Sequence, residues 1–130
     1  MGYNILVVDD NRIMREMVVK SVRLSPLEVG EVHQAANGEE ALAKLAEHLI
    51  DLVLLDINMP VMNGEQFLEK LRSDVLIKFT PVLVVSTESS QPRIQRLKAM
   101  GAAFIHKPFR PEELVGAVAT LIAKPRGVQP

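Results

Sequence analysis

The chain has 130 residues, 48% of them hydrophobic and 24% charged, with a net charge of −1. That length and composition predict one ordered domain with a real core, and the charge balance excludes a general pull towards nucleic acid or an anionic membrane. With no cysteine, disulfides, thiolate metal sites, iron–sulfur clusters and Cys nucleophiles are excluded.

In chain order, Ile5 to Val8 (ILVV) is a compact apolar run that stops at Asp9-Asp10. Met14, Val18 and Val22 then recur at helical spacing, with Met17 beside them, and predict a helix over Arg12 to Leu24. Val29 to Ala35 is a weaker strand. Asn37-Gly38 reads as a turn, and Glu39 to Leu49 as a helix with Leu42, Leu45, Ala46 and Leu49 on one face. Leu52 to Leu55 (LVLL) is the next buried run and ends at Asp56.

A loop with Pro60 and Asn63-Gly64 leads into a helix near Glu65 to Ser73, with Phe67, Leu68 and Leu71 inward. Val82 to Val85 (VLVV) ends at Ser86. Pro92 to Met100 is helical and Gly101 stops it. Ala103 to His106 forms a fifth strand, which runs out at Lys107-Pro108. Pro111 opens a last helix, marked by Leu114, Val118, Leu121 and Ile122.

Strands therefore alternate with helices five times. Three strands are continuous apolar runs, as expected of strands buried on both faces of a parallel sheet. Right-handed crossovers then favour an α/β, doubly wound five-stranded sheet. No apolar run is long enough to span a bilayer. The first strand begins within a few residues of Met1, and position 6 is Leu rather than the Ser or Thr of a myristoylation site. The expectation is a cytoplasmic protein.

Ligands of such sheets bind beyond the carboxyl ends of the strands. Asp9-Asp10, Asp56, Ser86 and Lys107 all follow strand ends. Two carboxylates about 5 Å apart repel by about 3 kcal/mol at an effective dielectric of 20. Three would need cations to stay ionised. Lys107 and one divalent ion would together cancel the charge, and an all-oxygen site with few protein ligands suits Mg²⁺. Spare positions on such an ion invite a phosphoryl group, and one carboxylate could form an aspartyl phosphate. Asp56 is the sharpest candidate, because a carboxylate directly after a buried strand needs a partner.

With ILVVDDN, AANGEEAL, DLVLLDINMPVMNGEQFLEKLR, PVLVVSTES and MGAAFIHKPF, the chain resembles the CheY-like receiver domains of two-component response regulators from Ile5 to about Ile122. The strand-end DD, D-x-x-M-P-x-x-x-G, strand-end Ser and K-P-F together are highly specific. The resemblance implies a flavodoxin-like fold with strand order 2-1-3-4-5. It implies a receiver over 1–124 with a flexible tail over 125–130. Asp56 would be the phosphoacceptor, served by a histidine kinase or phosphotransfer protein. Asp9, Asp10, Asp56 and the main-chain carbonyl of Asn58 would hold Mg²⁺ or Mn²⁺. Ser86 and Lys107 would bind the phosphoryl group, and Phe104 would be the aromatic switch. The Lys107–Pro108 bond would be cis.

Asn58, Thr87 and Glu88 occupy positions that tune phosphoryl lifetime in the family. The types at 58 and 88 match stand-alone chemotaxis regulators and favour a short lifetime, whereas the bulk of Thr87 predicts restricted access. Phe104 lacks the hydroxyl of the Tyr common at its position. A downstream target would dock on the face made by the fourth helix, fifth strand and fifth helix, the chain being a monomer or a weak phosphorylation-dependent dimer. No direct contact with nucleic acid or membrane is expected, nor turnover as an enzyme.

A haloacid-dehalogenase-type phosphohydrolase would pair its nucleophile with an acid two residues on, where this chain has Asn58. A stand-alone regulator is the simplest expectation. Against it stand a receiver that is never phosphorylated and a receiver cut from a larger regulator or hybrid kinase. Arg93, Arg96 and Lys98 read as solvated, with a place in a partner surface as the alternative, and His33, His48 and His106 read as too scattered to ligate a metal.

Overall fold

The computed structural model describes residues 2–59 and 61–123. Pro60 and the predicted tail fall outside them. The elements are β1 (Tyr3–Val8), α1 (Arg12–Arg23), β2 (Val29–Ala35), α2 (Gly38–Glu47), β3 (Leu52–Leu55), α3 (Gly64–Ser73), β4 (Val82–Ser86), α4 (Gln91–Ala99), β5 (Ala103–His106) and α5 (Pro111–Ile122). The five strands form one parallel sheet in the order β2-β1-β3-β4-β5. None of the described helices is long and apolar enough to cross a membrane.

Successive residues of a strand point to opposite faces, so each apolar run feeds two cores. Leu6, Val8, Val53, Leu55, Val82 and Val84 pack under α2, α3 and α4, with Leu45, Phe67, Leu71 and Leu97. Ile5, Val7, Leu52, Leu54, Leu83 and Val85 pack under α1 and α5, with Val18, Val22, Leu114 and Val118. Each fully buried Leu, Ile, Val or Phe contributes roughly 1.5–3 kcal/mol relative to exposure. β2 lies at the sheet edge and is only partly covered, which accounts for its weak apolar signal.

Helix starts differ from the sequence reading in a consistent way. Asn37 and Asn63 precede glycine and read as turns, yet each is an N-cap. Asn37 Oδ1 accepts from Glu40 N and Asn63 Oδ1 from Gln66 N, both at 2.9 Å. Asn11 does the same for α1 with Met14 N at 3.0 Å. An Asn that satisfies an orphan donor of the first turn starts a helix as readily as it makes a turn. α2 ends at Glu47, not Leu49, because His48 is already extended (φ −133°, ψ 150°). Leu49, expected on the inward face, is therefore 86% exposed, and Ile50 fills the core instead.

Gly64 opens α3 hard against the strand it follows. A Cβ there would lie 2.5 Å from Ile57 Cα and 2.8 Å from the Asp56 carbonyl oxygen. Both are backbone atoms with no rotamer to relieve the clash. Gly116, in the exposed middle of α5, has nothing within 4 Å of its would-be Cβ. Alanine should therefore act with opposite sign at the two sites. Gly64→Ala is expected to destabilise by about 1–3 kcal/mol, as overpacking does. Gly116→Ala is expected to stabilise by about 0.5–1 kcal/mol through helix propensity. Urea denaturation of the two variants checks both, and equal shifts would refute the close approach at Gly64.

Candidate phosphoryl and cation site

The strand register builds the site. Val8 pairs with Leu55 across β1 and β3, so the next residues, Asp9 and Asp56, leave neighbouring strands at one level. Asp56 N donates to Val8 O at 2.9 Å, and Asp9 N to Ala35 O at 3.1 Å. On the other flank Ser86 pairs with His106, and Lys107 N donates to Ser86 O at 2.9 Å. Four strand ends thus converge on one edge of the sheet.

Asp9, Asp10 and Asp56 each bring a carboxylate oxygen within 4.8 Å of the others. Asp9 and Asp56 are buried and Asp10 is exposed, so the pocket is closed below and open to solvent above. Lys107 Nζ donates to Asp9 Oδ2 at 3.0 Å and stands 3.9 Å from Asp56 Oδ1. Asp9 Oδ1 accepts from Asn11 N at 2.9 Å, and Arg15 Nη1 donates to the Asp9 carbonyl at 2.7 Å. Asn58 N donates to Asp56 Oδ1 at 3.4 Å. Sequence reasoning missed Asn11 and Arg15, whose role as loop clamps follows only from the turn of the chain between β1 and α1.

Burial pushes the Asp56 carboxyl above its ordinary range, and the charges of Asp9 and Asp10 add to the rise. Lys107 and the Asn58 N–H oppose it without cancelling it. The ionised pocket is therefore short of positive charge. Three hard carboxylate oxygens, one partly solvated, match the donor set that Mg²⁺ takes while keeping waters. Receiver domains generally bind Mg²⁺, and these residues fit it.

The remaining predicted residues fall around this pocket. Ser86 is fully buried, and its Oγ accepts from Glu88 N at 3.1 Å. Thr87 is exposed, and Phe104 is half-buried against the α3–α4 core. The exposed His106 ring meets Phe104 edge-on, with centroids 4.8 Å apart and planes at 75°. The Lys107–Pro108 peptide is cis.

Arg93 corrects the sequence reading. The sequence places it in solvent, but in the structure it joins α4 to α3 and to the loops that follow β3 and β4. Its Nε lies 3.4 Å from Glu65 Oε1 on α3, and its Nη1 lies 3.3 Å from both Glu88 Oε2 and Asn58 Oδ1. Arg96 adds a looser pair to Glu65 at 3.6 Å. Such partly exposed pairs are worth about 0–1 kcal/mol each. What matters is their place, since Arg93 straps together Asn58 and Glu88. No local signal reveals a contact between residues 28 apart in the chain.

The histidines are a second correction. His33 and His48 are not scattered, because their rings stack with centroids 4.0 Å apart and planes at 21°.

A family model described as the response regulator receiver domain matches residues 5–119. The chain is 38% identical over 122 residues to response regulator Rre1 of Synechocystis sp., covering 93% of this chain and 52% of that protein. It is 39% identical over 112 residues to chemotaxis protein CheY1 of Helicobacter pylori, covering 85% of this chain and 89% of that protein. The chain thus spans about half the length of Rre1 and most of CheY1. The structure of chemotaxis protein CheY4 of Vibrio cholerae superposes with a TM-score of 0.83 at 38% identity, covering 93% of this chain and 99% of that chain.

Proposed function

Because the chain belongs to the response regulator receiver domain family, which serves two-component phosphorelay signalling, we propose that Asp56 is its phosphoacceptor. The observation that carries this is the meeting of three carboxylates within 4.8 Å, with Lys107 Nζ at 3.0 Å from Asp9 and 3.9 Å from Asp56. Asp9, Asp10, Asp56 and the Asn58 carbonyl would hold Mg²⁺ or Mn²⁺. When bound, the ion supplies positive charge and polarises phosphoryl oxygens.

The chain's own groups do the rest. An Asp56 oxygen attacks phosphorus in line as the bond to the donor histidine nitrogen breaks, giving an acyl phosphate. Lys107 Nζ, already between Asp9 and Asp56, turns to the new oxygens. The phosphoryl group carries about two negative charges and strong acceptor oxygens. Ser86 Oγ rotates from the Glu88 N–H to donate to one of them. Glu88 moves with it, which strains the Arg93 strap. Phe104 turns into the vacated space and leaves the edge of His106, changing the face of α4, β5 and α5 that a target would read.

Driving such a switch from 1:99 to 99:1 takes about 5.5 kcal/mol. One charge-assisted hydrogen bond from Ser86 supplies about 1.5–3 kcal/mol. Ser86→Ala should therefore keep acetyl phosphate labelling and weaken affinity for the phosphoryl mimic beryllium fluoride by about tenfold or more. Unchanged affinity, measured by calorimetry, would remove Ser86 from the switch.

The same reading takes 1–124 as one receiver, acting in the cytoplasm on a phosphoryl group from a histidine kinase or phosphotransfer protein. It passes a signal rather than turning over a substrate. A phosphohydrolase is not favoured, since the Asn58 amide cannot exchange a proton as an acid or base would. The test is acetyl phosphate labelling with and without Mg²⁺, followed by partner capture with each phosphorylation state. Absence of Mg²⁺-dependent labelling would instead favour a receiver that works unphosphorylated.

A further inference from the structure

We propose that Glu31, His33 and His48, with Glu47 alongside, form a surface site for a divalent transition ion of the Zn²⁺ class. This site shares no residue with the acidic pocket, and the inference does not rest on the phosphorylation reading. β2 contributes Glu31 and His33, two residues apart. His48 is the first residue after α2 and Glu47 the last within it. His33 pairs in register with Leu6, which belongs to the core under α2. The end of α2 comes down on that same face, and this brings the two imidazoles together.

The donor atoms are already close. One ligand atom from each of Glu31, His33 and His48 lies within 4.8 Å of the others. His33 Nε2 stands 3.0 Å from Glu31 Oε1, and His48 Nε2 stands 3.8 Å from Glu47 Oε2. Each imidazole therefore turns its Nε2 towards a carboxylate. In a tetrahedral zinc site with bonds of about 2.0–2.1 Å, neighbouring donors sit about 3.3 Å apart. The His33–Glu31 edge is within a few tenths of an ångström of that, and the longest edge must close by about 1.5 Å. Glu31 and Glu47, 69% and 66% exposed, would rotate, and the His33 and His48 rings would tilt out of their 4.0 Å, 21° stack so that both in-plane lone pairs meet one ion.

The donor chemistry selects the ion. Neutral imidazole nitrogen with carboxylate oxygen suits Zn²⁺ and its neighbours, whereas Mg²⁺ takes oxygen alone. Two carboxylates also balance the charge of one divalent ion. Once bound, the ion would tie the end of α2 to the edge strand β2.

The test titrates Zn²⁺ into the tag-free full chain in excess Mg²⁺, by equilibrium dialysis, and follows thermal unfolding in parallel. One Zn²⁺ per chain should remain bound in wild type and in Asp56→Asn. His33→Gln and His48→Gln should each weaken it by about tenfold or more. Zn²⁺ should raise Tm in wild type and not in His48→Gln, whose half-exposed position leaves folding intact. Zn²⁺ binding that survives both histidine variants, that disappears in Asp56→Asn, or that Mg²⁺ competes away entirely would overturn the proposal.

Discussion

Asp56→Asn is expected to abolish stable, Mg²⁺-dependent labelling by acetyl phosphate while leaving the protein folded. The amide lacks the carboxylate's nucleophilic charge and cannot give a stable acyl phosphate. The pocket around it should hold its shape, since the 3.0 Å bond from Lys107 to Asp9 does not involve residue 56. Acyl phosphate, labile in acid and in base, appearing in Asp56→Asn at the wild-type level would refute the assignment, and so would its transfer to Asp9 or Asp10 with unchanged yield.

The same variant carries a pH signature whose sign is determined. In the folded chain the Asp56 carboxyl is raised, first by burial and then by Asp9 and Asp10. A carboxyl raised on folding holds its proton more tightly in the native state than in the unfolded chain. Stability therefore falls as pH climbs from the ordinary carboxyl range through the raised value. Without metal, Asp56→Asn should accordingly melt higher than wild type at neutral pH. The difference should shrink as pH drops below about 4, where the unfolded carboxyl is also protonated. Added Mg²⁺ should narrow it from the other side by stabilising wild type more. Thermal melts across pH, with EDTA or Mg²⁺, read all three. A variant that melts lower than wild type at neutral pH in EDTA would show that the ionised carboxylate is adequately compensated, contrary to the geometry.

Lys107→Ala should produce the largest loss of stability in the site. The Lys107 side chain is 14% exposed, and those of Asp9 and Asp56 are 7% and 9%, so its loss leaves buried carboxylates facing each other. Removing one partner of a buried pair typically costs about 3–5 kcal/mol. Protonation of Asp56 and the solvent above Asp10 bring the expected loss here to about 2–3 kcal/mol in EDTA. Mg²⁺ should recover much of it, because a ligand that binds only the folded state stabilises it by an amount that grows with the logarithm of its concentration above its Kd. Its affinity should also rise, since the competing ammonium is gone. Urea denaturation in EDTA and at several Mg²⁺ concentrations measures both effects. A loss that Mg²⁺ does not relieve would mean that Lys107 supports the fold by packing its stem, not by neutralising the pocket.

The sheet was legible because its information is local. ILVV, LVLL and VLVV each report burial on both faces within a few residues, and helical spacing in α1, α3 and α5 reports a single inward stripe. The site residues were legible for a related reason. In a parallel sheet every strand points the same way, so a polar residue just after an apolar run must lie on the carboxyl edge wherever its strand sits in the order. Asp9, Asp56, Ser86 and Lys107 could thus be assigned to one rim before any register was known. Asn37 and Asn63 misled because Asn favours turns and helix caps by the same side-chain acceptance of a backbone N–H. Leu49 misled because its periodicity continued for two residues after the backbone had left the helix.

By itself the sequence determined the alternation of elements, the double-sided burial of the sheet and the set of groups on its carboxyl edge, all of which depend on neighbours within a turn or a strand. Only the tertiary structure decided which of those groups touch. The Lys107–Asp9 bond spans 98 residues and the Arg93–Glu65 contact spans 28. The His33–His48 stack exists because α2 stops at Glu47 over that face of β2. Such meetings are set by strand register and helix length acting through the packed core, and no residue's immediate neighbours encode them.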